Sequence, residues 1–322
     1  MRTTTAASAL LALLALSILV AVAPTGAAAQ GCTVPPLCLA GDIASADLGR
    51  DPTTGELTVA AEINQVLHSR RFGPDGSRIG AWRAEIYHRS SSVSVNGRTR
   101  EVYEATVARN AVNITRRRDD GFKLESWDTG FTGYAGDLEA EAWSSELLMA
   151  RYTGSELRLV ALSRDGAMLA TWQSGYDEPA PVVDLTTDRV YYLGVGPAEE
   201  GGSGGRVARY DDLGRRTAEW PVEERPAALA AGPDGNVYVA TRTWEPHQGS
   251  LIVLSDLGTA RDTWPLGARP VDVEVALDGT AHVLVLCCSG RGLGVVTIAP
   301  DGRRSGGWMA WMELYLPTTR LR

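Results

Sequence analysis

Short apolar segments separated by polar turns run through most of the chain, and the clearest set lies between residues 225 and 264. The segments are Ala227 to Ala231, Val237 to Ala240, Ser250 to Leu254 and Thr259 to Trp264. Glycine, proline and aspartate fill the gaps between them, as in Gly232-Pro233-Asp234-Gly235. Segments of this length bounded by turn residues predict β-strands rather than helices. Residues 225 to 264 are therefore predicted to form four short strands.

A glycine followed six residues later by a tryptophan closes each such unit, and the pair occurs six times. The pairs are Gly76/Trp82, Gly121/Trp127, Gly166/Trp172, Gly214/Trp220, Gly258/Trp264 and Gly302/Trp308. Successive tryptophans lie 45, 45, 48, 44 and 44 residues apart. A repeat of that period with four strands per unit matches one propeller blade. The sequence predicts an all-β fold, a six-bladed β-propeller of four-stranded antiparallel blades.

The paired residues have a structural interpretation. The glycine suits a tight turn between the third and fourth strands that requires a positive φ. The tryptophan on the fourth strand offers a large apolar surface for packing between neighbouring blades.

The fifth unit resembles a known repeat. Residues 225 to 240, which read RPAALAAGPDGNVYVA, look like an NHL repeat, and residues 39 to 308 are similar to a six-bladed propeller of that superfamily. Relatives of this shape include adhesive binding modules, RNA binders, calcium-dependent lactonases, amidating lyases and strictosidine-synthase-like proteins. The resemblance implies the architecture without selecting one activity.

The N-terminus has the composition of a targeting segment. Arg2 supplies a positive charge, residues 6 to 23 are mostly apolar, and three alanines precede Gln30. This pattern predicts a cleaved signal peptide and an extracytoplasmic chain, secreted or periplasmic, with no membrane span after cleavage. An uncleaved anchor and lipidation at Cys32 remain alternatives. The expected divisions are a signal peptide at 1–29, a cysteine-containing segment at 30–38, the propeller at 39–308 and a C-terminal tail at 309–322.

The net charge limits the classes of binding partner, and the cysteines indicate the redox compartment. The net charge of −8 disfavours nucleic acid, whose phosphates attract clustered basic residues. Four cysteines in an exported chain indicate disulfide bonds, with three possible pairings. They are Cys32, Cys38, Cys287 and Cys288. Because the first and last blades are neighbours in a closed ring, we expect at least one long-range bridge.

Carboxylates recur where first strands line the channel of such a ring. They are Asp42, Glu85, Asp137, Asp184 and Asp272. Several carboxylates converging on one axis could hold Ca²⁺, which takes six to eight oxygen ligands. A calcium-dependent hydrolase or lactonase is therefore the alternative function.

Long connections between second and third strands predict the principal binding surface, since loops on a rigid scaffold commonly carry recognition. The candidate residues there are Glu199, Glu200, Trp244, Glu245 and His247. No residue pattern identifies a catalytic group. The leading hypothesis is a secreted binding or scaffolding module that recognises a protein, glycan or small molecule on this long-loop face, with no catalysis of its own.

Overall fold

The fold is a ring of six four-stranded antiparallel sheets, as the sequence predicts. The computed structural model describes residues 43–86, 90–152, 156–176, 181–186, 191–195, 204–242, 249–287 and 292–310. In every sheet four consecutive strands pair in the order in which they occur in the chain. Within these ranges the chain contains no helix long enough and apolar enough to cross a membrane.

The first three blades occupy residues 43 to 173. Blade one contains β1 (Ile43–Arg50), β2 (Leu57–Ile63), β3 (Val66–Phe72) and β4 (Arg78–Glu85). Blade two contains β5 (Ser90–Val95), β6 (Val102–Ala108), β7 (Ala111–Arg117) and β8 (Lys123–Thr132). Blade three contains β9 (Tyr134–Ala140), β10 (Leu147–Tyr152), β11 (Leu157–Leu162) and β12 (Met168–Gln173).

The last three blades follow the same plan. Blade four contains β13 (Val182–Leu185), β14 (Tyr191–Val195), β15 (Gly205–Tyr210) and β16 (Arg216–Val222). Blade five contains β17 (Arg225–Ala231), β18 (Val237–Arg242), β19 (Gly249–Leu254) and β20 (Ala260–Pro265). Blade six contains β21 (Arg269–Val275), β22 (Ala281–Cys287), β23 (Gly292–Ile298) and β24 (Arg304–Ala310).

Burial within a blade depends on strand position. All seven residues of β2 are buried, whereas β4 and β8 alternate between exposed and partly buried side chains. A strand with apolar side chains on both faces needs a neighbour on each side, and here the neighbours are the flanking blades. The apolar core is therefore divided among the blade junctions.

Each of the six junctions has its own cluster of buried side chains among the described residues. Between blades one and two, Leu67 packs with Val93 and Val102. Between blades six and one, Leu48 packs with Leu284 and Val295. Every cluster also contains, or is contacted by, the fourth-strand tryptophan of the earlier blade. These are Trp82, Trp127, Trp172, Trp220, Trp264 and Trp308. The predicted packing of tryptophan between blades is confirmed.

The turn glycines lie against these tryptophans, but each glycine meets the tryptophan of the preceding blade rather than its partner in sequence. The contacts are Gly121 with Trp82, Gly166 with Trp127, Gly214 with Trp172, Gly258 with Trp220, Gly302 with Trp264 and Gly76 with Trp308. All six glycines have a positive φ, as predicted, from 71° to 84°. A Cβ at Gly166 would lie 2.2 Å from Nε1 of Trp127. Glycine is therefore required both for the turn and for the fit against the preceding blade.

Replacing Gly166 by alanine should lower the free energy of unfolding by about 2 to 5 kcal/mol, which combines left-handed backbone strain with overpacking. Gly235→Ala is a matched control. Its φ is 77°, yet no atom lies within 4 Å of the added Cβ. The control should cost only the backbone strain, about 1 to 2 kcal/mol. Urea denaturation measures both changes, and equal losses would contradict a steric role for the glycine–tryptophan contact.

Candidate functional site

Two cavities open on the channel axis, one at each end of the inner strands. The cavity beside the turns between first and second strands measures about 450 Å³, and we call it the turn-side cavity. Glu139, Asp184, Asp272 and Glu274 are among its lining residues. The loop-side cavity, at the opposite end, measures about 290 Å³. Its lining residues include Ser45, Ser92, Asp137, Arg242 and Arg269.

Aspartates of the inner strands hold neighbouring blades together. Each accepts a hydrogen bond from a backbone N–H on the first strand of the next blade. The pairs, carboxylate first, are Asp272 with Leu48 (2.7 Å), Asp47 with Val95 (2.6 Å), Asp137 with Val183 (2.9 Å) and Asp184 with Ala231 (2.8 Å). An inner strand is the edge of its sheet, so its channel-facing N–H groups have no strand partner. The aspartates supply the missing acceptors.

Two inner strands depart from this pattern. In blade two, Ser92 takes the corresponding place, and its hydroxyl donates to Oδ1 of Asp137 at 3.3 Å. In blade five the small residues Ala228 and Ala230 occupy the corresponding positions of β17, opposite Ala240 and Tyr238 of β18. Blade five therefore contributes no carboxylate to the channel from its inner strand.

Burial is the largest cause of the raised pKa values of the channel aspartates. It raises the pKa of Asp137 and that of Asp184 to about 7 each, even though the backbone N–H donors act in the opposite direction. The pKa of Asp272 rises to about 6. Burial also raises the pKa of Asp47, as do the charge of Asp272 and the hydrogen bond between these two carboxyl groups. That hydrogen bond acts on Asp272 in the opposite direction and lowers its pKa.

Two glutamates extend the same acidic group. Glu139 and Glu274 lie two residues beyond Asp137 and Asp272, hence on the same side of their strands. Burial raises the pKa of each well above its ordinary value, and neighbouring carboxylates, Asp272 among them, raise it further. The carboxyl groups of the channel therefore carry only part of their full negative charge at neutral pH.

The structure places the predicted channel residues unevenly. Asp137, Asp184 and Asp272 lie on first strands as predicted. Glu85 does not, and that prediction is wrong. It is an exposed residue at the end of β4, paired with Val66. The inner strand of blade two is the polar segment Ser90–Val95, which lacks the apolar signal that would have located it.

Asp47, Glu139 and Glu274 are channel residues that sequence reasoning missed. A signal was present, because Glu139 and Glu274 follow recognised aspartates by two residues, the period of one face of a strand. Asp47 lies in the segment predicted as the first inner strand. The candidate Asp42 lies outside the described residues.

The described carboxylates do not form a calcium site. Among the residues that the structure describes, no three His, Cys, Asp or Glu side chains are arranged to hold a metal ion. Ca²⁺ requires several free oxygen ligands, whereas oxygens of four channel aspartates are already bonded to backbone N–H groups. The described channel residues therefore do not fit the ion.

The long-loop candidates and most of the cysteines lie outside the described ranges. This applies to Glu199, Glu200, Trp244, Glu245, His247, Cys32, Cys38 and Cys288. Cys287 ends β22, but its side chain is not described. The long-loop binding surface and the disulfide bonds stay predictions.

Three arginines surround the loop-side cavity at the junction of blades five and six. Arg225 begins β17 and pairs in register with Arg242, the last residue of β18, while Arg269 begins β21. Arg242 and Arg269 line the cavity. Burial, together with the charges of Arg225 and Arg269, lowers the pKa of Arg242 to about 10. Burial and Arg269 also lower the pKa of Arg225. The cluster is a concentration of positive charge on an acidic protein.

Stability should fall between about pH 6.5 and about pH 8, because carboxyl groups with raised pKa values keep protons in the folded chain that the unfolded chain has lost. His68 and His282 act in the opposite sense, since burial lowers their pKa values, but only below about pH 6.5. Asp184→Asn should make the decrease smaller. Asp75→Asn is the control, because that exposed carboxyl has a lowered pKa. Thermal unfolding across this range measures the effect, and stability that rises with pH would contradict it.

Removing the acceptor at Asp47 should weaken the junction of blades one and two. Asp47→Ala leaves the Val95 N–H without its acceptor at a buried position and should cost about 1 to 3 kcal/mol relative to Asp47→Asn, which keeps an oxygen there. Urea denaturation of both variants gives the difference, and hydrogen exchange of the Val95 amide should accelerate in the alanine variant alone. Indistinguishable variants would show that this hydrogen bond is dispensable.

Known proteins resemble the chain in fold but not in sequence. No protein-family model matches it, and no curated protein matches it either. A protein of unknown function from Bacteroides caccae superposes with a TM-score of 0.56 at 11% identity, over 75% of this chain and 89% of its own.

Two structures with described activities are similarly related. A streptogramin B lyase has a TM-score of 0.56 at 11% identity, over 84% of this chain and 85% of its own. A luciferin-regenerating enzyme has a TM-score of 0.53 at 12% identity, over 76% and 85%. Likenesses at such identities establish architecture alone. The chain is a six-bladed β-propeller.

Proposed function

We propose that this chain is an NHL-like propeller that acts outside the cytoplasm as a binding module and recognises its ligand at the long-loop end of the channel. The observation that carries the proposal is the loop-side cavity of about 290 Å³, on whose edge Arg242 and Arg269 lie. A concave site with a few convergent polar groups is the usual form of a ligand pocket.

The chemistry of the channel supports binding over catalysis. Asp47, Asp137, Asp184 and Asp272 each accept a backbone hydrogen bond that joins two blades. A carboxylate already bonded to the scaffold is poorly placed to act as a nucleophile or metal ligand. These four aspartates thus have a structural role, and among the described residues no geometry favours the hydrolase alternative.

The direction of the strands supports a binding site at the loop-side cavity. In blades four, five and six the second strands end at Val195, Arg242 and Cys287, at the end of the ring where the loop-side cavity opens. The long connections that follow these residues include the candidates Trp244, Glu245, His247, Glu199 and Glu200. Loops on a rigid ring suit recognition because the scaffold fixes where they begin and end.

Filling the loop-side cavity should abolish ligand binding without unfolding the ring. Ala227 lines this cavity, and Ala227→Trp places a large side chain there. Ala142→Trp is the matched control, because Ala142 lines the turn-side cavity. Thermal shift against a panel of organic acids, sugars, nucleotides and amino acids should give ligands that stabilise the wild type and the control but not Ala227→Trp. Ligands blocked only by Ala142→Trp would move the site to the other end.

A further inference from the structure

The arginines at the loop-side cavity are equivalent in two adjacent blades and meet at one junction. Arg225-Pro226 and Arg269-Pro270 open the inner strands of blades five and six, 44 residues apart. Arg242 ends the strand next to β17, directly opposite Arg225. The fold therefore collects three guanidinium groups from three strands at one end of the channel.

These three arginines have no ion-pair partner within the described part of the chain, although many other arginines do. Arg71, Arg100, Arg116 and Arg164, for example, all contact carboxylates. The nearest acid in sequence, Glu224, instead receives a hydrogen bond from the hydroxyl of Thr241. Nε of Arg225 is buried and has no hydrogen-bond partner among the residues that the structure describes. An unpaired, partly buried cation is costly unless something compensates its charge.

The described residues of the channel interior do not provide that compensation. Asp137 is the carboxylate lining the loop-side cavity, but its oxygens contact the Val183 N–H and the Ser92 hydroxyl. Blade five, which carries two of the arginines, has alanines at the inner-strand positions where other blades carry acids. The positive charge of the three arginines is therefore not balanced by a described carboxylate, and it lies at the opening of a cavity.

We infer that Arg225, Arg242 and Arg269 form a binding site for an oxyanion, which is the charged end of a small organic ligand held in the loop-side cavity. The inference rests on the proposed binding function and names the chemical class of its ligand. Guanidinium groups bind carboxylate and phosphate oxygens through paired N–H donors, so both anions fit. An anion bound among the three arginines offsets their mutual repulsion, which favours binding in addition to the direct contacts.

The remaining lining of the cavity suits the uncharged part of such a ligand. Pro226, Ala227, Pro270 and Val271 present apolar surface. Ser45 also lines the cavity, and its hydroxyl is buried without a hydrogen-bond partner among the described residues. A volume of about 290 Å³ lies at the small end of ligand pockets. The combination fits a small acid or phosphate ester that carries a hydroxyl group.

The test measures binding of inorganic phosphate and of succinate by calorimetry, at constant ionic strength maintained with sodium chloride. At least one anion should bind saturably to the wild type. Arg242→Gln and Arg269→Gln should each raise the dissociation constant about tenfold or more, the usual effect of losing a charged hydrogen-bond donor. Arg78→Gln is the matched control, because Arg78 is an exposed residue of β4 in another blade, and its dissociation constant should equal that of the wild type.

The two anions distinguish the ligand classes, since tighter phosphate indicates a phosphate ester and tighter succinate a carboxylic acid. Arg269 is exposed, so its variant tests the site even if Arg242→Gln folds poorly. Failure of both anions to bind saturably, or equal weakening by Arg78→Gln, overturns the oxyanion site. Some ligand in the panel could be blocked by Ala227→Trp and yet bind normally to the arginine variants. That result would also overturn the oxyanion site, but it would leave the proposed binding function standing. If Ala227→Trp blocks the binding of none of the ligands in the panel, the proposed binding function itself is rejected.

Discussion

The ring depends on the contact between a turn glycine and the tryptophan of the preceding blade. The space above each such glycine is filled by an indole ring, so that turn and tryptophan fix how closely two blades approach. The apolar cluster of the junction forms around the same indole. Because all six junctions repeat the contact, the approach of adjacent blades is set locally at each of them.

The charged side chains, unlike the tryptophans, are not distributed equally among the blades. Acidic side chains occupy the inner strands, where their first task is to accept hydrogen bonds from edge N–H groups. Burial, and after it their mutual proximity, raises their pKa values and limits the negative charge that accumulates on the axis. Blade five lacks these acids, and arginines gather at its end of the channel. The described blade without an inner-strand acid or serine thus carries two of the three clustered arginines, Arg225 and Arg242.

The sequence predicts this fold well because the required features are local. The spacing of Gly166 and Trp172 is set within one hairpin, and the same spacing returns in each blade. The site is less predictable because it combines residues far apart in sequence. Asp272 and Leu48 are 224 residues apart, and no local pattern relates them. The misplacement of Glu85 has the same origin, since the polar strand Ser90–Val95 is recognisable only from its neighbours in the ring.

Each sheet is built from one uninterrupted stretch of chain, and blades one and six are no exception. None of the described strands is exchanged across the closure, where Gly76 lies against Trp308 and the Leu48 N–H is bonded to Asp272. The junction between blades six and one therefore has the same kinds of contact as the other junctions. A blade is a transferable unit in this design, because duplicating or deleting one would leave every hydrogen-bonded sheet whole. Propellers of other sizes could arise from such a chain by changes in the number of blades alone.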